Sequence, residues 1–332
     1  MTRAPHSPWY SRCRRAQERW KATTPLLVDD ARFPGHTWGE GRGGPIEVGP
    51  FPVCLPSRFA DHNLLPSVRQ EAIDRFAGGK VAWHHGTPGP AGVAWPSSHL
   101  LDSQVQCVNV LLSLPRPALL GLVRAVEPAA TGLADVEGDS PVAFEWCGLI
   151  DHLGERRGRP VTRGRYCTSA DALMIAVRAD GGRTGVIVEW TFTESYDRPI
   201  AFLGAGGTDR REVYRARYEA APFLHHPPIE VFFHEPHYQL LRLVLLAHAM
   251  VAAGEHGIDR AVVVHAVPAG NDTLLRTVPE GLASFGATVP EVWTALVGGG
   301  PVGWASVDTA RWIAASPEAF SRYGHVMDGA AP

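Results

Sequence analysis

The chain has 332 residues, of which 45% are hydrophobic and 20% charged, and its formal net charge is −3. That is enough chain and enough apolar content to bury a core, and it excludes a nucleic-acid binder that works through bulk positive charge, so any such surface would have to be local. The five cysteines (Cys13, Cys54, Cys107, Cys147 and Cys167) are odd in number and form no CxxC, which argues against a disulfide framework or zinc ribbon and for reduced thiols in a cytoplasmic protein.

Residues 1–60 are rich in Arg, Pro, Gly and Trp and carry no long periodic element, so they read as a partly irregular N-terminal arm ahead of one α/β domain at 61–332. The first residues lack the apolar run of a secretory signal. Arg12, Arg14, Arg15, Arg19 and Lys21 make a basic patch, read as a solvated helix face or loose arm, with a phosphate-contacting arm as the alternative. Lys21 and Lys80 are the chain's only lysines. A helix is expected at 65–77, where Val68, Ala72, Ile73 and Phe76 share a face. A short strand is expected at 80–84, a loop at the prolines 88, 90 and 96, a helix at 101–114, and another after Pro117. The pattern at 142–150 fits a strand or a helix.

The clearest signal follows. Residues 170–179 are apolar-rich, Asp180-Gly181-Gly182 is a turn signal, and 184–193 is β-branched and aromatic. This is a β-hairpin with a three-residue loop. After a polar, Gly-rich stretch at 204–212, Pro236 opens a helix that runs to about 256 and is apolar nearly all round, hence buried. Its apolar run, broken by Arg242 and His248, is too short and too polar to span a bilayer. Residues 260–267 read as a strand buried on both faces. Helical segments are expected near 289–297 and 309–315. This order predicts an α/β fold with a mixed sheet.

With Gly181 at the centre of the turn, Asp171 pairs with Thr191 and Leu173 with Glu189. Asp171, Glu189 and Thr191 then project from one face. Two carboxylates on one face are costly unless neutralised, and a hard divalent cation held by oxygen ligands is one solution. The plain alternative is a strand-start aspartate and a glutamate paired with an arginine. His234-Glu235-Pro236-His237 lacks the four-residue spacing of a zinc-binding HExxH helix. Gln104 and Asn109 are weighed evenly between satisfying buried backbone groups and a role at the site.

Asp171, the hairpin and Glu189-Trp190-Thr191 resemble the Asp…(Asp/Glu)-x-Lys signature of the PD-(D/E)XK nuclease superfamily. The chain is also similar to a bacterial family of restriction-endonuclease-like proteins. The similarity rests on Trp83-His84, the segments at 103–109, 144–146, 168–172 and 188–196, and Glu235 to Arg242, and it covers roughly residues 65–270. The resemblance implies a PD-(D/E)XK core: a mixed sheet of four to five strands flanked by helices. It also implies Mg²⁺- or Mn²⁺-dependent hydrolysis of DNA phosphodiesters, with Asp171 and Glu189 as metal ligands. Glu145 would be a further acid, and Gln239 and Arg242 would face the site from their helix. Thr191 stands where the signature has lysine, and a threonine hydroxyl carries no charge to stabilise the transition state. Lys21 and Lys80 are the candidates for a migrated lysine, and Arg242 is a cationic substitute that cannot act as a base. A catalytically inactive nuclease-fold protein that binds nucleic acid or a protein partner is the second reading, and a homodimer is a further expectation.

Overall fold

A computed structural model describes residues 7–327 apart from 42–43, 78–79, 157, 161, 197–198 and 205. In chain order the helices are α1 (Pro8–Thr23), α2 (Arg69–Phe76), α3 (Ser103–Leu112), α4 (Arg116–Arg124), α5 (Arg210–Ala220), α6 (His237–Ala252), α7 (Asp272–Leu275), α8 (Val289–Leu296), α9 (Thr309–Ala314) and α10 (Pro317–Met327). The strands are β1 (Gly35–Gly41), β2 (Gly44–Phe51), β3 (Thr87–Pro88), β4 (Ala94–Trp95), β5 (Ala130–Ala134), β6 (Val142–Trp146), β7 (Ala170–Arg178), β8 (Arg183–Trp190), β9 (Arg260–Val267) and β10 (Val302–Asp308). The chain divides into two compact units. The first takes the chain up to Pro115, Trp190–Thr193 and the chain from Asp308 onward; the second takes Arg116–Glu189 and Glu194–Val307.

In the first unit, the region read as lacking a long periodic element carries the 16-residue α1 and an antiparallel β1–β2 hairpin. Ser7 caps α1 by accepting from Tyr10 N–H, and Pro8 sits in its first turn, where its missing N–H costs nothing. The buried stripe of α1 is Trp9, Cys13, Gln17 and Lys21. Half of that stripe is polar, so apolar periodicity alone could not reveal it. Lys21 is buried because its ammonium donates to the carbonyls of Phe33, Pro52 and Cys54 at 2.8, 2.9 and 2.6 Å, which satisfies all three of its protons.

The strand expected at 80–84 does not form; only an isolated bridge at Val81 is present. Gln104 explains this. Its side chain accepts from His84 N–H at 2.8 Å and donates to Ala82 O at 3.0 Å, so it takes up backbone groups that a ladder would use. Trp83 meanwhile stacks on Phe76, with ring centroids 3.7 Å apart. Asn109 accepts from Leu65 N–H and donates to Asn63 O and the Tyr323 hydroxyl. Both residues therefore satisfy buried polar groups within this unit, the structural side of the expectation.

The second unit is built on a mixed six-stranded sheet ordered β10-β9-β8-β7-β5, with β6 also pairing with β7. The sheet thus has one strand more than the four to five that the resemblance implies; separately, β5 and β10 were not legible as strands because Gly132 and Gly303 weaken their pattern. β7, β8 and β9 are buried almost throughout, as central strands covered on both faces must be. The segment 142–150, left open between strand and helix, supplies β6. Helix α6 packs on β9. Its Leu241, Val244 and Leu245 share one core with Leu173, Ile187 and Val263, and each such side chain contributes roughly 1.5–3 kcal/mol of burial. Among the described residues no single helix is long and apolar enough to cross a membrane. All five cysteines are free thiols.

Candidate active site

The hairpin forms, but its register differs from the expected one by two residues. Val177 pairs with Arg183, and the ladder runs to Ala172 opposite Val188. The loop has the expected three residues but sits one residue earlier, at 179–181: Arg178 N–H bonds Gly182 O to close it, Gly181 N–H bonds Arg178 O, and Gly181 takes φ 85°. The next position along this ladder sets Asp171 opposite Glu189, not opposite Thr191. A slip of two keeps each side chain on its face, since strand side chains alternate with period two. The pairing of the two acids is therefore closer than expected, and Thr191 loses its assigned partner. Thr191 follows the last residue of β8 and is buried.

Glu145 enters from the other side of β7. The β6–β7 ladder pairs Phe144 with Ala172 and Trp146 with Ala170, and it skips the position between them. Glu145 occupies that position with φ 50° and is 1% exposed. A left-handed backbone at a buried non-glycine residue costs free energy, and such sites cluster where function constrains the chain. Asp171 thus has an acid across from it on each neighbouring strand.

Glu189 is the centre of this group. It is 5% exposed, and its Oε2 has no hydrogen-bond partner. Burial pushes its carboxyl well above the usual carboxylate range, and the negative charges of Asp171, Glu145, Glu235 and Glu194 push it further. The Tyr196 phenol is raised for the same reasons, burial first and then Glu194, Glu189, Glu235 and Asp171. Sequence reading missed Glu235, Glu194 and Tyr196. Glu194 and Tyr196 lie in the 188–196 segment and Glu235 begins the Glu235-to-Arg242 segment, so that ordered set of segments was the available signal. Glu235 stands ahead of α6, where its Oε2 accepts from Gln239 N–H at 3.2 Å, a placement the positive end of the helix favours.

Arg242, three residues beyond Gln239, belongs to an adjoining network. Its guanidinium lies 4.7 Å from the Tyr238 ring centre, bonds Thr168 Oγ1 at 3.3 Å and is 4.0 Å from Glu155. Burial works against its charge, but Tyr214, Tyr238, Glu155 and Glu235 hold it protonated. Glu155 also accepts from the Thr168 hydroxyl at 2.8 Å and from the Tyr214 hydroxyl. Glu235 bears on both Glu189 and Arg242. Of the expected site residues, the second unit brings together Asp171, Glu189 and Glu145, with the α6 residues Gln239 and Arg242 linked to them through Glu235.

Among the described residues, no group of three or more His, Cys, Asp or Glu side chains is arranged as it stands to hold a metal ion. The donor set is nonetheless all oxygen, and the buried carboxylate oxygen of Glu189 lacks a partner. Hard cations such as Mg²⁺ and Mn²⁺ take such donors, so the chemistry of these residues fits them. Of the two lysines, Lys21 is committed to its three carbonyls, which removes it as a migrated catalytic lysine.

No curated protein and no solved structure matches the chain. A family model described as restriction endonuclease associating with ARP matches residues 14–312, a span that contains β6, the hairpin, α6 and every acid named above. The chain belongs to this restriction-endonuclease family.

Proposed function

We propose that this protein is a divalent-cation-dependent endonuclease of the PD-(D/E)XK type that hydrolyses DNA phosphodiesters. The observation that carries the reading is the unpartnered, buried oxygen of Glu189 set among four other carboxylates. A buried charged group without compensation is strongly unfavourable, and bound Mg²⁺ or Mn²⁺ removes that penalty. When bound, such an ion polarises a phosphoryl oxygen and lowers the pKa of an attacking water.

Asp171 and Glu189 would hold the ion. Glu145, opposite Asp171, and Glu235, anchored by Gln239 N–H, are further oxygen donors that bear on Glu189. Arg242 stays charged and cannot accept a proton, so its role is to hold a phosphate oxygen and not to act as a base. With Thr191 at the lysine position, the electrostatic share of transition-state stabilisation falls on the ion and Arg242. The family's description names an association with ARP, so a protein partner is part of this reading.

A plasmid-nicking assay in Mg²⁺ or Mn²⁺ tests it. The wild-type chain converts supercoiled plasmid to nicked or linear forms, while Asp171→Ala and Glu189→Gln each lose about 10³-fold or more, the scale of removing a metal ligand or a principal electrostatic stabiliser. Cleavage by Asp171→Ala at the wild-type rate would sink the proposal.

A further inference from the structure

The segment joining β6 to β7 leaves the strand of Glu145 and returns at Asp171, so both of its ends are tied to the acids. Residues 156–166 within it hold five arginines and no aspartate or glutamate, in a chain whose net charge is −3. Its tip is a turn in which Arg165 N–H bonds Thr162 O at 3.1 Å and Gly164 N–H bonds Ser169 Oγ at 2.9 Å. This turn lies directly on the acid group: a Cβ built on Gly164 would stand 3.1 Å from Glu145 Oε2. No larger residue fits there unless one of them moves.

The four arginines among the described residues divide into two sets. Arg156 is buried and donates to the carbonyls of Cys147 and Gly148, and Arg163 pairs with Glu137 at 3.0 Å while covering the Trp146 ring. These two build the loop. Arg159 and Arg165 are exposed, and among the described residues neither has an ion pair. Tyr166 is 70% exposed with φ 57°, and the Arg159 guanidinium lies 5.1 Å from its ring centre. A large aromatic side chain held in the open, in a backbone conformation that costs free energy, is not explained by packing.

We infer that this loop is the DNA-contacting element of the site. Arg159 and Arg165 neutralise phosphates, Tyr166 packs on a sugar or an exposed base, and the turn at Gly164 sets the backbone of the duplex beside Glu145 and Asp171. Unpaired arginines together with an exposed aromatic ring are the chemistry of nucleic-acid backbone recognition. Their position bordering the acids is where a scissile phosphodiester must be held. The inference rests on the nuclease reading above.

The test uses full-length Glu189→Gln protein as a cleavage-deficient parent, a fluorescently labelled DNA duplex, and binding followed by anisotropy across about 50–200 mM salt. Arg159→Ala/Arg165→Ala in that parent should bind at least tenfold more weakly, with the salt slope reduced by about two, one for each phosphate contact. Tyr166→Ala should weaken binding several-fold and leave the slope unchanged, since stacking releases no counterions. All three residues are exposed, so thermal unfolding of each variant should match the parent. Binding by the double variant with unchanged affinity and slope overturns this inference and leaves the nuclease reading standing. A parent that binds no DNA overturns both.

Discussion

At the scale of single residues, the free energy of the site is concentrated in Glu189. Its neighbours in the sheet core are apolar, and its nearest charged neighbours are Asp171, Glu145, Glu235 and Glu194, all of the same sign. A side chain so placed stabilises the folded state only when something positive occupies the site. Glu189→Gln keeps the shape and removes the charge, so it should stabilise the metal-free protein by roughly 1–3 kcal/mol, the scale of an unsatisfied buried polar group. Under metal the order reverses. A cation at about a hundred times its dissociation constant stabilises the wild type by about 2.7 kcal/mol and the variant by almost nothing. Thermal melts of both proteins with EDTA and with a Mn²⁺ series measure the two effects separately. If the variant melts lower than the wild type in EDTA, or gains as much as the wild type from Mn²⁺, Glu189 does not play this part.

At the scale of elements, the hairpin was legible because its strands are β-branched and its turn carries Asp180-Gly181-Gly182. The face shared by Asp171 and Glu189 was legible with it. Parity alone fixes the face, so the reading survived a register error of two residues. What could not be read was the placement of the loop, one residue earlier than expected, because it depends on Arg178. That side chain, 3% exposed, folds over the turn and bonds both oxygens of Asp259 at 2.7 and 2.8 Å, with Thr184 Oγ1 at 3.0 Å. Asp259 directly precedes β9 and is distant in sequence, so no local pattern announces it. Glu235 and Glu194 were hidden for a similar reason: each lies outside any regular strand, and only the tertiary fold brings them to Glu189.

The Arg178–Asp259 pair has a pH signature of its own. Hydrogen bonding by Arg178 draws the Asp259 carboxyl down to about 2. A depressed carboxylate binds fewer protons folded than unfolded, so its contribution is complete above the unfolded value near 4 and is lost as pH falls towards 2. Asp259 is half exposed, so this contribution is screened and small. Arg178→Ala removes the pair together with the packing of the arginine stem over the turn, and should cost about 1–2 kcal/mol at neutral pH. Denaturant unfolding of wild type and variant at pH 7 and again near pH 2 gives the difference. It should narrow at the lower pH, and a difference that widens there would contradict this account of the turn.

At the scale of the whole molecule, chain order and spatial order part company. The first unit gathers the start of the chain, the four residues Trp190–Thr193 at the end of β8 and the final helices, and a reading that moves along the sequence has no means of joining them. The joints are polar and buried, and this is why they escaped a search for apolar periodicity. Arg322 on α10 is 1% exposed and donates to Asn63 O at 2.6 Å, to Asn63 Oδ1, and to Gln17 Oε1 on α1 at 3.2 Å. Tyr323, next to it, accepts from Asn109 on α3. One side chain thus fixes two segments that lie some 260 and 305 residues away in sequence. Arg322→Ala would leave Asn63 Oδ1 and the Gln17 amide oxygen without their donor in the interior, while Asn63 O keeps Asn109. Each buried acceptor left unsatisfied costs about 1–3 kcal/mol, so the two together are a large part of the stability of an ordinary domain. Hydrogen exchange should therefore show α1, α3 and α10 losing protection together in this variant, since they share the network. If α10 alone frays while α1 and α3 keep their protection, Arg322 is only a local anchor of the last helix.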